Sequence, residues 1–454
     1  MLLSWWFLAF LTAAAAMSAV VTARLFLPAR PSRHRAEGKR PGRRFAVLRA
    51  LATFLTAVLT VAAAADGVNR HFSYIPTFAA LFGEISPDLL GQTLSSSAAA
   101  GPPVPGAHPP SHGVVEKIEI AGAVSRIGPR DTYVYLPPTY FDGTQPARRF
   151  PVLYLIHGSP GISADWLRGG YVDRTMDILL GHHRINPFIV VLPDANGGYG
   201  RDVECEDVVG GPKAQTYLVS DVVSFIDARY RTIAQPSARA VGGLSTGGYC
   251  GINLAFRHQD VFSAAVSHSG YGRPDHNAYT GSLFGGDHAL QRANTPDDYL
   301  ATIPISRNLG VYLDAGSADT AAKADSTRMY WILRRRGVDV TLNVVKGEHH
   351  NFVAFRRDLR LSLPWVSQWF GGEAGPSADA TVSAPDTSDL LPPSLTDAGR
   401  RFSGVCGVPP ATTTTGGREI LKQPKPVGST CAATTAATAV ESHAFVQRAA
   451  PTRP

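Results

Sequence analysis

The pentapeptide Gly-Leu-Ser-Thr-Gly at residues 243–247 has the pattern G-x-S-x-G, and it constrains the fold more than any other feature of the chain. Residues 238–242 before it fit a short buried strand, and residues 248–256 after it have the apolar spacing of a helix. A serine between a strand and a helix occupies a tight turn in which neighbouring side chains would clash, which explains the glycines. The pattern therefore predicts a nucleophile elbow at Ser245, provided that the rest of the chain has a matching order of strands and helices.

Composition limits the kinds of partner that the chain can have. Its net charge of +7 does not indicate nucleic-acid binding, because the densest basic run, residues 30–44, lies between two apolar segments and is better explained by membrane topology. The four cysteines lack C-x-x-C spacing, so we expect no zinc site, and nothing in the sequence calls for another metal or an organic cofactor. In an exported domain they would allow two disulfides. These cysteines are Cys205, Cys250, Cys406 and Cys431.

Two apolar segments, residues 2–23 and 45–65, are each long enough to span a bilayer as a helix. Arg49, near the start of the second segment, can extend toward the basic loop, and Asp66 ends the apolar run. The positive-inside rule places the basic loop in the cytoplasm and everything after Asp66 outside. The sequence therefore predicts two transmembrane helices over residues 1–66, in the cell membrane, with an extracytoplasmic main domain.

Two alternatives remain open for these segments. A signal peptide cleaved after the second segment would leave the main domain on the same side of the membrane. The alanine-rich second segment would also suit a buried helix of a soluble protein.

The rest of the chain divides into three parts by composition. Residues 67–113 form a juxtamembrane segment and a linker rich in Ser, Ala, Gly and Pro, and residues 371–454 form a low-complexity tail that we expect to be disordered. In residues 114–370, strand-like and helix-like runs alternate after an antiparallel opening pair, with helix breaks near Gly169 and Pro364. This order predicts an α/β fold with a mostly parallel, doubly wound sheet.

The candidate catalytic side chains follow three of the predicted strands. A serine hydroxyl needs a base to take its proton, and in this architecture the acid and then the histidine come after the serine. Asp319 is preferred as the acid over Asp314, which lies at the strand end and would instead pin the loop through backbone hydrogen bonds. His350, after the last strand, is preferred as the base over the adjacent His349.

An oxyanion hole needs two backbone N–H donors. Thr246, next to the nucleophile, would supply one, and Ser159, in the loop after the strand that ends at residue 156, would supply the other. His157 in that loop either lines the pocket or only hydrogen-bonds its own loop.

The segment from about residue 114 to residue 370 resembles the esterase D-like family of α/β-hydrolases, which includes the mycolyltransferases of the antigen 85 group. The matching pieces are Leu-Ile-His-Gly at 155–158, Gly-Leu-Ser-Thr-Gly-Gly at 243–248, Asp-Ala-Gly-Ser-Ala-Asp at 314–319 and His-Asn-Phe at 350–352. The resemblance implies an α/β-hydrolase fold, with Asp319 and His350 at the acid and base positions. It also implies acyl transfer through a serine ester, to water or to a sugar hydroxyl. The N-terminal segments look like those of membrane-anchored actinobacterial members.

The sequence thus predicts a membrane-anchored serine esterase acting on an ester or acyl-lipid substrate. An acyltransferase that uses a sugar hydroxyl is one alternative, and a non-catalytic protein that binds cell-wall carbohydrate is another. In an exported domain a Cys205–Cys250 disulfide would tie the loop before residue 216 to the helix after the elbow, with two buried thiols as the alternative. Cys406 and Cys431 would then be free to pair with each other.

Overall fold

One sheet organises the residues that the computed structural model describes, which are 4–27, 43–73, 93–95, 109–198, 201–306 and 308–372. Most of the predicted basic loop, most of the predicted linker and the predicted tail beyond residue 372, with Cys406 and Cys431, lie outside these residues. The strands are β1 (Thr93–Ser95), β2 (Val114–Ile120), β3 (Arg130–Leu136), β4 (Val152–Ile156), β5 (Ile189–Pro193), β6 (Arg239–Leu244), β7 (Ala264–His268), β8 (Gly310–Gly316) and β9 (Asp339–Val345).

The strands of the described chain follow the order β1-β2-β3-β5-β4-β6-β7-β8-β9. β3 is antiparallel to both of its neighbours, and the other pairs are parallel. Parallel strands need helical crossovers, which cover both faces of the sheet. The predicted α/β-hydrolase fold with its antiparallel opening pair is therefore confirmed.

Helices cover the sheet on two sides. In β4, Val152, Tyr154 and Ile156 belong to one buried apolar cluster, whereas Leu153 and Leu155 belong to the other, as the alternation of side chains along a strand requires. The helices are α1 (Trp5–Phe26), α2 (Arg43–Phe72), α3 (Asp165–Arg168), α4 (Val172–Gly181), α5 (Ala214–Thr216), α6 (Val223–Arg229), α7 (Thr246–Arg257), α8 (His288–Ala293), α9 (Pro296–Tyr299), α10 (Thr320–Arg335) and α11 (Phe352–Phe370). Side chains of α4 and α11 join the cluster that contains Leu153, and side chains of α6, α7 and α10 join the other.

The predicted helix break near Gly169 is confirmed, since α3 and α4 are separate helices. The predicted interruption near Pro364 is wrong, because α11 continues through that residue. A proline inside a helix costs about 3 kcal/mol. The side chains of Leu363, Trp365 and Val366 around it are buried against the sheet, and this packing outweighs the lost hydrogen bond.

The two N-terminal helices, α1 and α2, form an antiparallel pair. Ser18 Oγ and Thr22 Oγ1 lie 2.8 and 3.1 Å from Thr56 Oγ1 on the other helix. Both helices are long and apolar enough to cross a membrane, a property that they share with signal sequences. Many of their apolar side chains are exposed.

The ends of the pair are fixed by two arginines. Arg49 Nε donates to the Leu25 carbonyl at 2.9 Å, and the Arg70 guanidinium lies 4.5 Å from the centre of the Trp5 ring. The helix α2 extends past Asp66, where the apolar run was expected to end. Asp66 accepts a hydrogen bond from Arg70 one turn later at 3.2 Å, which compensates the acidic side chain within the helix.

The glycines on either side of the turn between β6 and α7 lie where the chain leaves no space for a Cβ atom. A Cβ added to Gly243 or to Gly247 would lie 2.1 Å from the carbonyl oxygen of Ile156, at the end of β4. The backbone of the turn therefore packs directly on the backbone of β4. As a result, the loop that follows Ile156 begins beside Ser245.

We expect Gly243→Ala to lower the free energy of unfolding by about 1–3 kcal/mol or more, because the new methyl group meets backbone atoms that cannot move aside. Unfolding of the full chain in detergent, followed by circular dichroism, measures the change. Gly181→Ala is the matched control, because nothing lies within 4 Å of a Cβ added there. Equal unfolding midpoints for the two variants would contradict the packing described for the turn.

Candidate active site

Ser245 occupies a strained turn between β6 and α7. Its backbone has φ 55° and ψ −118°, a conformation that residues other than glycine rarely adopt. The Ser245 N–H donates to the carbonyl of His268, at the end of the neighbouring strand β7, at 2.8 Å. The side chain is half-buried at the carboxyl end of the parallel strands, where open α/β sheets carry their sites.

Asp319 and His350 are in direct contact. The imidazole Nδ1 of His350 lies 2.6 Å from Oδ2 of Asp319, which is the geometry of a charge-assisted hydrogen bond. Burial alone would raise the pKa of Asp319, but the hydrogen bond and the charge of His350 hold that pKa below its ordinary value. The carboxylate is therefore ionised. It fixes the imidazole through Nδ1 and makes no contact with Nε2.

Two helix caps hold this pair. Asp319 is the N-cap of α10, and its Oδ1 accepts the N–H of Ala322 at 3.3 Å. Asn351 caps α11 by accepting the N–H groups of Val353 and Ala354 at 3.0 and 3.2 Å. The small polar residue after His350 thus starts a helix and sets the direction of the loop that carries the histidine.

The alternative residues have other surroundings. Asp314 is fully buried, and its Oδ2 lies 2.6 Å from Nδ1 of His268, a second histidine. Its backbone carbonyl also accepts the N–H of Ser269 at 3.0 Å, in the way that was expected of a residue that pins the loop. His349 is exposed. The structure brings Asp319 together with His350, and it brings neither together with Asp314.

Ser245 makes no direct hydrogen bond to His350 among the described residues. Such contacts between a nucleophile and its base are often longer when no substrate is bound. The three residues lie on loops that leave the same edge of the sheet, after β6, β8 and β9.

The expected oxyanion donors flank Ser245 on two sides. Thr246 is the first residue of α7, where backbone N–H groups lack partners within the helix. Ser159 is half-buried and follows Gly158, at which an added Cβ would lie 3.3 Å from Cβ of Ser245. The loop after β4 therefore lies against the turn that carries Ser245.

His157 forms hydrogen bonds with its own loop and with the loop that follows β5. Its side chain is buried, with Nδ1 2.8 Å from the Gly158 carbonyl, and Nε2 accepts the N–H of Ala195 at 3.2 Å. Both ring nitrogens thus contact backbone groups, and Nε2 also lies 3.4 Å from Oδ1 of Asp194. Of the two roles expected for His157, the structure favours the hydrogen-bonding one.

Sequence reasoning missed a buried acidic loop beside Thr246. The hydroxyl of Tyr271 lies 3.0 Å from Thr246 Oγ1 and 2.8 and 2.9 Å from the two carboxyl oxygens of Glu204. Burial and the neighbouring Asp202 raise the pKa of Glu204 well above its ordinary value. Burial therefore favours the neutral form of the Glu204 carboxyl. The sequence signal is the cluster of acidic residues around Cys205.

A disulfide joins this loop to α7, the helix that follows Ser245. Cys205 and Cys250 are bonded, their Cα atoms are 5.8 Å apart, and both residues are buried. The crosslink suggested by the sequence is thus present in the structure, and it fixes the acidic loop against α7.

Replacing Cys205 and Cys250 by serine should lower the free energy of unfolding by about 2–4 kcal/mol, because the crosslink no longer restricts the unfolded chain. Denaturant unfolding with and without reductant measures this loss. In a control chain in which Cys406 and Cys431 are serine, thiol titration under denaturing conditions should find no thiol before reduction and two afterwards. Two free thiols before reduction would contradict the disulfide.

Comparisons with known proteins identify the family. A sequence profile for the family described as Putative esterase matches residues 127–365, which is more than half of the chain. An uncharacterized protein of Corynebacterium glutamicum is 29% identical over 270 residues, which are 56% of this chain and 62% of that protein. The esterase Rv1288 of Mycobacterium tuberculosis is 31% identical over 266 residues, which are 51% of this chain and 54% of that protein.

The chain therefore spans less than two thirds of the length of these two relatives. The solved structure of a ferulic acid esterase has 24% identity and a TM-score of 0.49, and covers 57% of this chain and 99% of that one. From the profile match over more than half of its length, this chain belongs to the Putative esterase family.

Proposed function

We propose that the protein is a serine esterase in which Ser245, His350 and Asp319 form the catalytic triad. The hydrogen bond between His350 Nδ1 and Asp319 Oδ2, 2.6 Å long, carries the proposal, because it leaves Nε2 of the imidazole to act as a base. The strained turn at Ser245 and membership of an esterase family support it.

In the acylation step, Nε2 of His350 takes the proton of Ser245 Oγ as this oxygen attacks the ester carbonyl carbon. The carbonyl oxygen becomes an oxyanion and accepts hydrogen bonds from the N–H groups of Thr246 and Ser159. When the tetrahedral intermediate collapses, the bond to the alcohol oxygen breaks and His350 gives its proton to that oxygen. Asp319 stays ionised and stabilises the imidazolium, which its lowered pKa favours.

In the second step, water replaces the alcohol. His350 takes a proton from the water, the hydroxide attacks the acyl-serine, and Ser245 leaves with the proton as the acid is released. A sugar hydroxyl in place of water would make the same triad an acyltransferase.

We also propose that α1 and α2 anchor the protein in the cell membrane with the catalytic domain outside. The antiparallel pair and its hydroxyl contacts, Ser18 and Thr22 with Thr56, suit two helices that share a bilayer, where small polar residues join helices. The basic run between the helices favours a cytoplasmic loop. The Cys205–Cys250 disulfide fits an oxidising compartment.

The triad can be tested with a fluorophosphonate probe and a short nitrophenyl ester. We expect Ser245→Ala to abolish labelling, and His350→Ala and Asp319→Asn to lower kcat at least about 10³-fold, because each change removes a group that moves or orients the proton. His349→Ala and Ser224→Ala are the matched controls, since both residues are exposed. Labelling of folded Ser245→Ala chain would contradict the proposal, and an unlabelled wild type would favour a non-catalytic binding protein.

Membrane topology can be tested on the full chain with an epitope at each end. We expect the chain to stay in the membrane pellet after alkaline carbonate extraction, with the N-terminal epitope still attached. Protease added to spheroplasts should degrade the catalytic domain, because it faces outward. Loss of the N-terminal epitope from the mature chain would support a cleaved signal sequence. Protection of the catalytic domain from protease would indicate the opposite topology.

A further inference from the structure

A second histidine–aspartate pair lies at the strand ends below the candidate triad. His268 ends β7, Asp314 is its register partner on β8, and Nδ1 and Oδ2 of the two side chains are 2.6 Å apart. Both side chains have a relative exposure of 0%, so neither can contact substrate. The mechanism above does not use this pair.

The helix α11 adds two more polar groups to the pair. Ser362 Oγ lies 3.3 Å from Nε2 of His268, and a carboxyl oxygen of Asp358 lies within 4.8 Å of a ring nitrogen of His268 and of a carboxyl oxygen of Asp314. Asp358 is 1% exposed. Among the described residues, Oδ1 of Asp314 and both carboxyl oxygens of Asp358 have no hydrogen-bond partner.

Two ionised carboxylates without a cation would be costly at this depth. Burial raises the pKa of both Asp314 and Asp358 well above the ordinary value, each with a further rise from its neighbouring carboxylates. Burial lowers the pKa of His268 to about 4, so its imidazole is neutral. Burial therefore favours the protonated form of both carboxyls.

The same three side chains have the donor types of a metal site. Metal–ligand bonds of about 2.0–2.2 Å would hold two ligand atoms of one ion farther apart than the 2.6 Å between Nδ1 of His268 and Oδ2 of Asp314. That distance is a hydrogen bond, so the geometry favours protons as the link between these groups.

Backbone hydrogen bonds connect the pair to the loops of the candidate triad. The His268 carbonyl accepts the N–H of Ser245 at 2.8 Å, and the Asp314 carbonyl accepts the N–H of Ser269, the residue after His268, at 3.0 Å. The loops of the acid and the base are joined as well, because the Glu348 carbonyl accepts the N–H of Ala318 at 2.9 Å. Ala318 and Glu348 are one and two residues from Asp319 and His350.

We propose that His268, Asp314 and Asp358 form a buried, proton-sharing network of positioning residues that holds Ser245 and the loops of Asp319 and His350 in the reactive arrangement. The network fixes the ends of β7 and β8 against α11, and the backbone carbonyls of those strand ends fix the turn of the nucleophile. This inference rests on the proposed esterase function.

The test compares Asp358→Leu with Asp358→Asn in the full chain, with the nitrophenyl ester as substrate. Leucine fills the site but donates no hydrogen bond, so we expect kcat to fall about 10- to 100-fold while KM stays within about 3-fold. Asparagine is neutral, and its amide can donate a hydrogen bond to Asp314 in the place of a protonated Asp358 carboxyl, so we expect it to restore kcat to within about 3-fold of wild type. The unfolding temperature of Asp358→Leu should not fall, because an apolar side chain replaces a buried acid.

The control for loss of an aspartate is Asp260→Leu, since Asp260 is exposed. Wild-type kcat in Asp358→Leu, or equal losses in the leucine and asparagine variants, would overturn the network. If Asp358→Leu does not fold, Ser362→Ala decides, because it removes the contact to His268, and an unchanged kcat would overturn the proposal. Ser245→Ala in the same assay distinguishes failure of the esterase mechanism from failure of the network. Activity in Ser245→Ala would contradict the esterase mechanism. An inactive Ser245→Ala together with a fully active Asp358→Leu would contradict only the network.

Discussion

The hydrogen bond from the Ser245 N–H to the His268 carbonyl is the interaction on which the site depends. Ser245 has a positive φ, and a strained residue keeps such a conformation only when its surroundings fix it. The 2.8 Å hydrogen bond holds one side of the turn, and the contact of Gly247 with Ile156 holds the other. The backbone of Ser245 is thus fixed by neighbouring strands.

The pairs His350–Asp319 and His268–Asp314 differ in the pKa of the carboxyl group because they are buried to different extents. In the outer pair the side chain of His350 is 37% exposed and that of Asp319 is 10% exposed, and the pKa of the carboxyl is lowered. In the inner pair both side chains are inaccessible, and the pKa of Asp314 is raised. Burial therefore decides which carboxyl carries a charge that can support an imidazolium.

The sequence could predict the fold, and it could single out Ser245, Asp319 and His350 as candidates, because apolar strands and the residues that follow them are local features. It preferred Asp319 over Asp314 only because Asp319 lies farther into the loop, and it could not show what each carboxyl contacts. The difference is a contact with His268, 46 residues away in sequence, and only tertiary structure creates it. Packing likewise overrides the local signal at Pro364, and the helix α8 was missed because none of its residues is buried.

The disulfide between Cys205 and Cys250 has a consequence for how the protein is made. Its two residues are 1% and 0% exposed, so small thiols in the surroundings cannot reach the sulfur atoms of the folded chain. Oxidation must come before the final packing of the loop on α7. Formation of the crosslink therefore depends on the redox conditions of the compartment in which the chain folds, and later changes in external redox conditions leave it intact.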